Sequence, residues 1–373
     1  MRKEYMRIRI HTHDRLRGYE HKGRSIDMNI FIYRGGMSLV KKSGIGMALR
    51  QQCEMLSHMP QVRQTTFGPS DVVQINTVFP DSVIVALAAR LFHKKVIYYG
   101  HSTKEDFKHS FRGSTLLAPL FQRWITFCYR LGDQVITPTQ YSKRLIESYG
   151  VDRPVTALSN GIDNAFWARD DHDRETFREK YHLTGEQKVV MSVGHYIERK
   201  GILDFLDLAR RMPDKTFFWF GYTNLNMVPA EVARQVRNAP DNVVFPGYVS
   251  REELRQAYHG ADLFCFLSHE ETEGIVVLEA LASGIPTIVR DMGVYEGWLQ
   301  DGKNCRKFRD EQELDTLCQI MTRYRDDAQR QQGLATAKSR DYGMICDCME
   351  QIYRSLVAQR TVAKPQRKLK MID

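Results

Sequence analysis

Leu263-Phe264-Cys265-Phe266-Leu267 runs directly into Ser268-His269-Glu270-Glu271-Thr272-Glu273-Gly274-Ile275-Val276-Val277-Leu278-Glu279-Ala280-Leu281-Ala282-Ser283-Gly284-Ile285-Pro286. The first five residues are an unbroken apolar run, the mark of a strand buried on both faces. A helical segment begins near Ile275, and Gly284 with Pro286 supplies its stop. Gly274 and Ile275 therefore fall at a helix N-terminus beyond the carboxyl end of a strand. There, free N–H groups and the helix dipole favour a phosphate. Within the helix, Glu279 is flanked by Ile275 to Leu278 and by Ala280 to Ala282. A carboxylate buried there without partners costs on the order of several kcal/mol. It needs donors, either from ligand hydroxyls or from a basic residue of the core.

The same strand–helix rhythm extends along the chain in both directions. Met28 to Tyr33, Val72 to Ile75, Val96 to Tyr99, Gln134 to Thr137 and Val155 to Leu158 read as strands of one parallel sheet. A charged stretch, Asn164 to Gly185, interrupts the pattern. A second series follows in Lys188 to Gly194, Thr216 to Gly221, Asn242 to Phe245, Asp262 to Leu267 and Ile285 to Arg290. The fold class is α/β, with two Rossmann-like domains facing a cleft. The expected division is a basic extension 1–27, a first domain 28–165, a linker 166–185, a second domain 186–340, and a C-terminal part 341–373 with a helix from Asp341 to Ala358 and a basic tail. A chain of 373 residues accommodates two such domains.

Hydrophobic residues make up 42% and charged residues 27%, an ordinary globular balance. No apolar run reaches the roughly 18 residues needed to span a bilayer, and the N-terminus lacks a signal-like apolar core. A cytoplasmic location is expected. The seven cysteines show no Cys-x-x-Cys pairing, as for reduced thiols. The net charge of +9 divides unevenly: 8 basic and 4 acidic residues in 1–27, 16 and 9 in 28–165, and 30 and 32 in 166–373. A basic first half suits an anionic surface, and no zinc, RNP or helix-turn-helix signature points to nucleic acid.

A second chemical signal is Val193-Gly194-His195-Tyr196-Ile197-Glu198-Arg199-Lys200-Gly201. Arg199 and Lys200 precede a helix, the end where cations are unfavourable, and a bound anion would remove that conflict. In the first domain, Arg34 to Gly46 carries four glycines, but Lys41 stands where a P-loop starting at Gly36 requires glycine. ATP hydrolysis is excluded on that ground. A nicotinamide dehydrogenase is disfavoured because neither first strand leads into Gly-x-Gly-x-x-Gly. His101-Ser102-Thr103-Lys104-Glu105-Asp106-Phe107 follows a strand and faces the cleft. The next stretch, Phe111 to Arg130, is too short and too charged to cross a membrane yet rich in aromatics. It suits an interfacial element with Arg112, Arg123 and Arg130 at headgroup depth and Phe107, Phe111 and Trp124 as further membrane or acceptor candidates, or a crossover helix packed on the sheet. Asp171-His172-Asp173 is formally an Asp-x-Asp pair but lies in the charged stretch, where it reads as a solvated run and not as a metal site.

Taken together, these segments resemble glycosyltransferase family 4, whose Glu-x7-Glu motif is matched by Glu271 and Glu279. The resemblance covers about Met28 to Tyr353 and is strongest over Gly194 to Asn304. His-Ser-Thr-x-Glu-Asp-Phe and Glu-Glu-Thr-Glu-Gly are similar to the branch that glucosylates diacylglycerol. The resemblance implies the glycosyltransferase B fold and a retaining transfer of a hexose, glucose from UDP-glucose, to 1,2-diacylglycerol. The leaving phosphate would take the acceptor's proton. It implies that Arg199 and Lys200 hold the donor pyrophosphate, Glu271 meets sugar hydroxyls, Glu279 bonds the ribose, and Gly274 and Ile275 offer main-chain N–H groups. Gly44 and Gly46 would lie opposite the phosphates and His101 near the transferred sugar. Many members carry an Arg directly after the glycine that ends the Val189 to Val193 run. Here that residue is His195, and Arg199 is the candidate to replace it. Glu296 matches a further family acid. No tightly bound cofactor and no divalent metal are expected. The expected partners are a UDP-sugar, a lipid acceptor and an anionic membrane at the inner face of the cell membrane. Alternatives are a polysaccharide, protein or other lipid acceptor, or a non-catalytic nucleotide-sugar or membrane-binding module.

Overall fold

The computed structural model describes residues 28–36, 43–108, 110, 113–308, 314–323 and 327–362. Short apolar runs form parallel strands, because residues buried on both sides of a sheet need no alternation. The first sheet contains β1 (Met28–Tyr33), β2 (Val62–Gln64), β3 (Val72–Ile75), β4 (Lys95–Tyr99), β5 (Gln134–Thr137) and β6 (Val155–Ala157). Its order is β2-β1-β3-β4-β5-β6, with every pairing parallel. The second contains β7 (Val189–Val193), β8 (Thr216–Phe220), β9 (Val243–Gly247), β10 (Leu263–Phe266), β11 (Thr287–Arg290) and β12 (Arg306–Phe308), in the order β12-β11-β10-β7-β8-β9. The expected α/β architecture of two Rossmann-like units is present. Sheet order reverses between β1 and β3 in the first unit and between β7 and β10 in the second. Such switch points open a crevice at the carboxyl ends of the strands.

Two short strands, β2 and β12, were not expected from the sequence. The charged stretch 164–185, expected as the linker region, is partly helical. It contains the helix Asp171–Lys180, capped by the Asp170 side chain and packed on the helix Arg251–Gly260. Asp173 is buried, bonded to Arg255 Nε at 2.6 Å and His259 Nδ1 at 3.0 Å. Asp171 and His172 are exposed, in keeping with the reading of a solvated run, but Asp173 corrects it: an ion pair inside the second unit consumes that carboxylate.

The last helix, Tyr342–Val362, returns to the first sheet. Tyr342, Ile345, Met349 and Tyr353 pack with Met28, Ile30, Val72 and Ile97. The opposite face of that sheet is covered by the helices Pro80–Leu91 and Ser114–Arg130, whose Ala86, Ala89, Ile125 and Tyr129 share one core with β3, β4 and β5. Of the stretch expected to meet a membrane, Phe111 and Arg112 lie outside the described residues. Phe107 stacks on Phe121 with ring centroids 4.0 Å apart, and Trp124 Nε1 donates to Val78 O at 2.6 Å. Arg123 is exposed, and Arg130 donates to Gly150 O. The outward side of both helices carries large exposed apolar residues among its arginines: Leu116 is 85% exposed, Leu120 64%, Ile84 67% and Leu91 75%. No helix among the described residues is long and apolar enough to cross a membrane.

Candidate active site

The loops after β7 and β10 meet at the switch point of the second sheet. Gly201 makes this possible: at φ 76° it is left-handed, and a Cβ there would lie 2.3 Å from Leu267 O. The turn Glu198–Lys200 is thereby pressed against Leu267 to Glu271. Lys200 Nζ forms an ion pair with Glu271 Oε1, and Ser268 Oγ donates to the same oxygen at 2.8 Å. Burial alone would raise the Glu271 pKa, but Lys200 and Arg199 outweigh it and hold the carboxyl below its ordinary range.

Arg199 is 9% exposed, and its guanidinium meets three groups. Its Nη1 donates to Glu270 O at 2.8 Å and pairs with Asp106 Oδ1 at 2.7 Å, while Nε donates to Ser110 Oγ at 3.1 Å. The expected conflict between two cations and a helix start is thus resolved here by protein carboxylates. Two groups of the first unit, Asp106 and Ser110, reach across the cleft to do it.

Gly274, at φ 84°, begins the helix Ile275–Ser283 with no side-chain cap. Its first N–H groups are therefore of the kind that accept an anion. One turn in, Glu279 is 1% exposed and accepts from Tyr258 Oη at 3.2 Å. Burial pushes its pKa up to about 7, against the pull of that hydrogen bond and of Arg251. Among the described residues Glu279 has no ion-pair partner, so the core-basic alternative is not what satisfies it.

In the first unit, the helix Gly44–Ser57 starts just beyond β1, with Ser43 Oγ accepting from Gly46 N at 3.4 Å. Gly44 has open space where a Cβ would project. His101 is 6% exposed, stacked on Tyr99, and its Nε2 lies 3.2 Å from Asn76 Oδ1. Burial lowers its pKa to about 4, so the ring is neutral at physiological pH.

Three further carboxylates gain weight only in the structure. Asp106 holds Arg199. Glu270 accepts from Tyr141 Oη at 3.1 Å through Oε2, leaves a buried Oε1 unpartnered, and is pushed up to about pKa 7 by burial. Glu273, 2% exposed, accepts from Asn160 N at 3.1 Å, Asn160 Nδ2 at 2.7 Å and Ser159 Oγ. It ties the loop after β10 to the chain segment that leaves β6. Glu296 is exposed and pairs with Arg144 at 2.5 Å. The available sequence signal for Glu270 and Glu273 was their place in Glu-Glu-Thr-Glu-Gly; the partners lie far away in sequence. A cavity of about 760 Å³ near Ser283, Leu334 and Met344 lies at the other end of the Ile275–Ser283 helix. Among the described residues no group of three or more His, Cys, Asp or Glu side chains is placed to hold a metal ion.

Comparison with known proteins covers both units of the chain. The family model described as glycosyltransferase family 4 covers residues 45–166, and that of glycosyl transferases group 1 covers 173–317. The chain is 36% identical to the processive diacylglycerol alpha-glucosyltransferase of Acholeplasma laidlawii, over 88% of this chain and 99% of the relative. It is 27% identical to the alpha-galactosylglucosyldiacylglycerol synthase of Streptococcus pneumoniae, over 65% of this chain and 66% of that one. In fold it is similar to Anabaena Alr3699/HepE, crystallised in complex with UDP-glucose, at a TM-score of 0.71 and 17% identity over 88% of this chain and 99% of that one. With both family regions matched and nearly the whole relative aligned, the chain belongs to glycosyltransferase family 4 and is a glycosyltransferase of the diacylglycerol glucosyltransferase type.

Proposed function

We propose that the protein transfers glucose from UDP-glucose to 1,2-diacylglycerol with retention of the anomeric configuration, at the inner face of the cell membrane. The observation that carries this reading is the convergence of Arg199, Lys200, Glu271, Gly274, Ile275 and Glu279 on one switch point. The name of the Acholeplasma laidlawii relative supports both the lipid acceptor and the α-glucosyl product. The uncapped helix start at Gly274 and the two cations would hold the pyrophosphate, and Glu279 would accept from the ribose hydroxyls. Negative charge develops on the leaving phosphate, where preorganised cations lower the barrier. That phosphate takes the proton of the acceptor hydroxyl, so no protein nucleophile is assigned. Arg199 and Lys200 supply the charge that a divalent metal provides elsewhere, and the reaction should proceed in a chelator.

The acceptor is read from the first unit. Leu116, Leu117, Leu120 and Phe127 are exposed on one helix, and Ile84, Leu87 and Leu91 on its neighbour over the same face of the sheet. An apolar face of this kind, on the segment 28–165 with its 16 basic and 9 acidic residues, suits an anionic bilayer. The deciding experiment is an assay of purified protein with diacylglycerol in anionic vesicles and a panel of UDP-sugars, with and without chelator. Glucosyldiacylglycerol formed from UDP-glucose alone is the expected product. Transfer only to a soluble glycan would overturn the acceptor.

A further inference from the structure

Asn76 and His101 stand just beyond the carboxyl ends of β3 and β4, which are adjacent in the first sheet. Both are buried, at 2% and 6% exposure. The His101 ring is held on two sides. It stacks on Tyr99 at 5.3 Å between centroids and 21° between planes, and its Nε2 faces Asn76 Oδ1 at 3.2 Å. Tyr99 is itself anchored, with its hydroxyl 3.1 Å from Met349 Sδ on the last helix. Asn76 Nδ2 is buried and makes no hydrogen bond among the described residues.

A neutral imidazole carries one N–H and one lone pair, and a carbonyl oxygen can only accept. With Oδ1 of Asn76 against Nε2, the ring proton belongs on Nε2 and Nδ1 is the bare acceptor. Charging the ring is unfavourable in this environment, so the tautomer, and not the charge, is what the site can set. The Nδ2 hydrogens of Asn76 remain available to a ligand oxygen at the same place.

We propose that Asn76 is a positioning residue of the transfer reaction: it holds His101 as the Nε2–H tautomer, so that Nδ1 accepts a hydrogen bond from a hydroxyl of the transferred sugar. This rests on the reading of His101 as lying beside that sugar. The opposite tautomer would present an N–H to the same hydroxyl and demand a different orientation of it.

The test reads the tautomer and the rate separately. Full-length protein with ¹⁵N-labelled histidine is examined by long-range ¹⁵N–¹H correlation, with His101→Gln identifying the His101 signal among the 12 histidines. Wild type should show a protonated Nε2 and a bare Nδ1. Asn76→Asp keeps an oxygen acceptor and, at alkaline pH where the ring stays neutral, should keep that signature. Asn76→Leu should give mixed tautomers and lower kcat at least tenfold, with the donor KM changed less than about threefold. Adding Asn76→Leu to His101→Gln should lower kcat no further. A protonated Nδ1 in wild type, an unchanged tautomer in Asn76→Leu, or a changed tautomer with unchanged kcat would overturn the proposal. If wild type transfers nothing to diacylglycerol, the acceptor reading fails on its own; the tautomer of the free protein and the slow hydrolysis of UDP-glucose still decide the role of Asn76.

Discussion

Arg199 and Asp106 are bonded across the cleft, with Nη1 2.7 Å from Oδ1. The guanidinium expected to hold the donor pyrophosphate is thus paired with a carboxylate of the opposite unit. A pyrophosphate must share or displace this partner. Asp106→Asn should therefore tighten UDP binding, by roughly threefold to tenfold, in line with about 1 kcal/mol for a partly exposed ion pair. Calorimetry with UDP decides it, and weaker binding would show that Asp106 orients Arg199 instead of competing for it.

Lys200 is the second cation, and its loss should act twice. On the proposed reading, Lys200→Ala removes a charge-assisted contact to phosphate, of about 1.5–3 kcal/mol. UDP affinity should fall about tenfold to more than a hundredfold, and turnover should nearly vanish. It also leaves Glu271 buried beside Ser268 without its main counter-ion. The carboxyl pKa should rise and the melting temperature fall by a few degrees. Unchanged UDP affinity would remove Lys200 from the donor site.

Glu279 gives a pH signature. Its folded pKa, about 7, lies above the ordinary value of 4.5, so the folded state holds the proton more tightly than the unfolded chain. Stability is then lost as pH rises from about 4.5 to 7, by up to about 3 kcal/mol. Glu279→Gln should fold normally and lose this dependence, which thermal melts from pH 5 to 8 will read. On the proposed role of Glu279 as acceptor for the ribose hydroxyls in its ionised form, UDP binding to wild type should strengthen between pH 6 and 8. The variant should bind weakly at every pH.

Glu273 joins the loop after β10 to Ser159 and Asn160. Glu273→Ala leaves two buried Asn160 donors without their acceptor, at a cost of about 1–3 kcal/mol. The expected result is a lower melting temperature. UDP affinity should also fall, because Gly274 is the next residue. A variant as stable as wild type would mean that water replaces the carboxylate.

The exposed face of the first unit should govern membrane attachment. Replacing Leu116, Leu120 and Phe127 by Ser removes apolar surface worth about 1.5–3 kcal/mol per fully buried side chain. Co-sedimentation with anionic vesicles should be lost, while UDP binding stays unchanged. Attachment of wild type should weaken as salt rises, since screening shortens the reach of exposed charge. Equal binding to neutral and anionic vesicles, insensitive to salt and to the substitutions, would leave this face without a role at a bilayer.

By itself the sequence determined what is local. A continuous apolar run, a polar turn and a helix stop within 24 residues, 263–286, were enough to place Glu271, Gly274, Ile275 and Glu279 on one strand–turn–helix unit, because spacing along a helix or strand is fixed by backbone geometry. Repetition of that unit was enough for two parallel sheets. The strands β2 and β12, with three residues each, are too short to carry a period. The helix Asp171–Lys180 is so charged that its buried side, Asp173 and Phe177, shows only once a partner helix is present. Its Asp170 cap, with acids in the first turn and Arg178 and Lys180 in the last, was the legible signal. Tertiary structure alone decided the rest. Asn76 meets His101 across 25 residues, Arg199 meets Ser110 across 89, and Asn160 meets Glu273 across 113. Hydrogen bonds and ion pairs act over a few ångströms, and only the packing of whole units against each other brings residues so distant in the chain within that range.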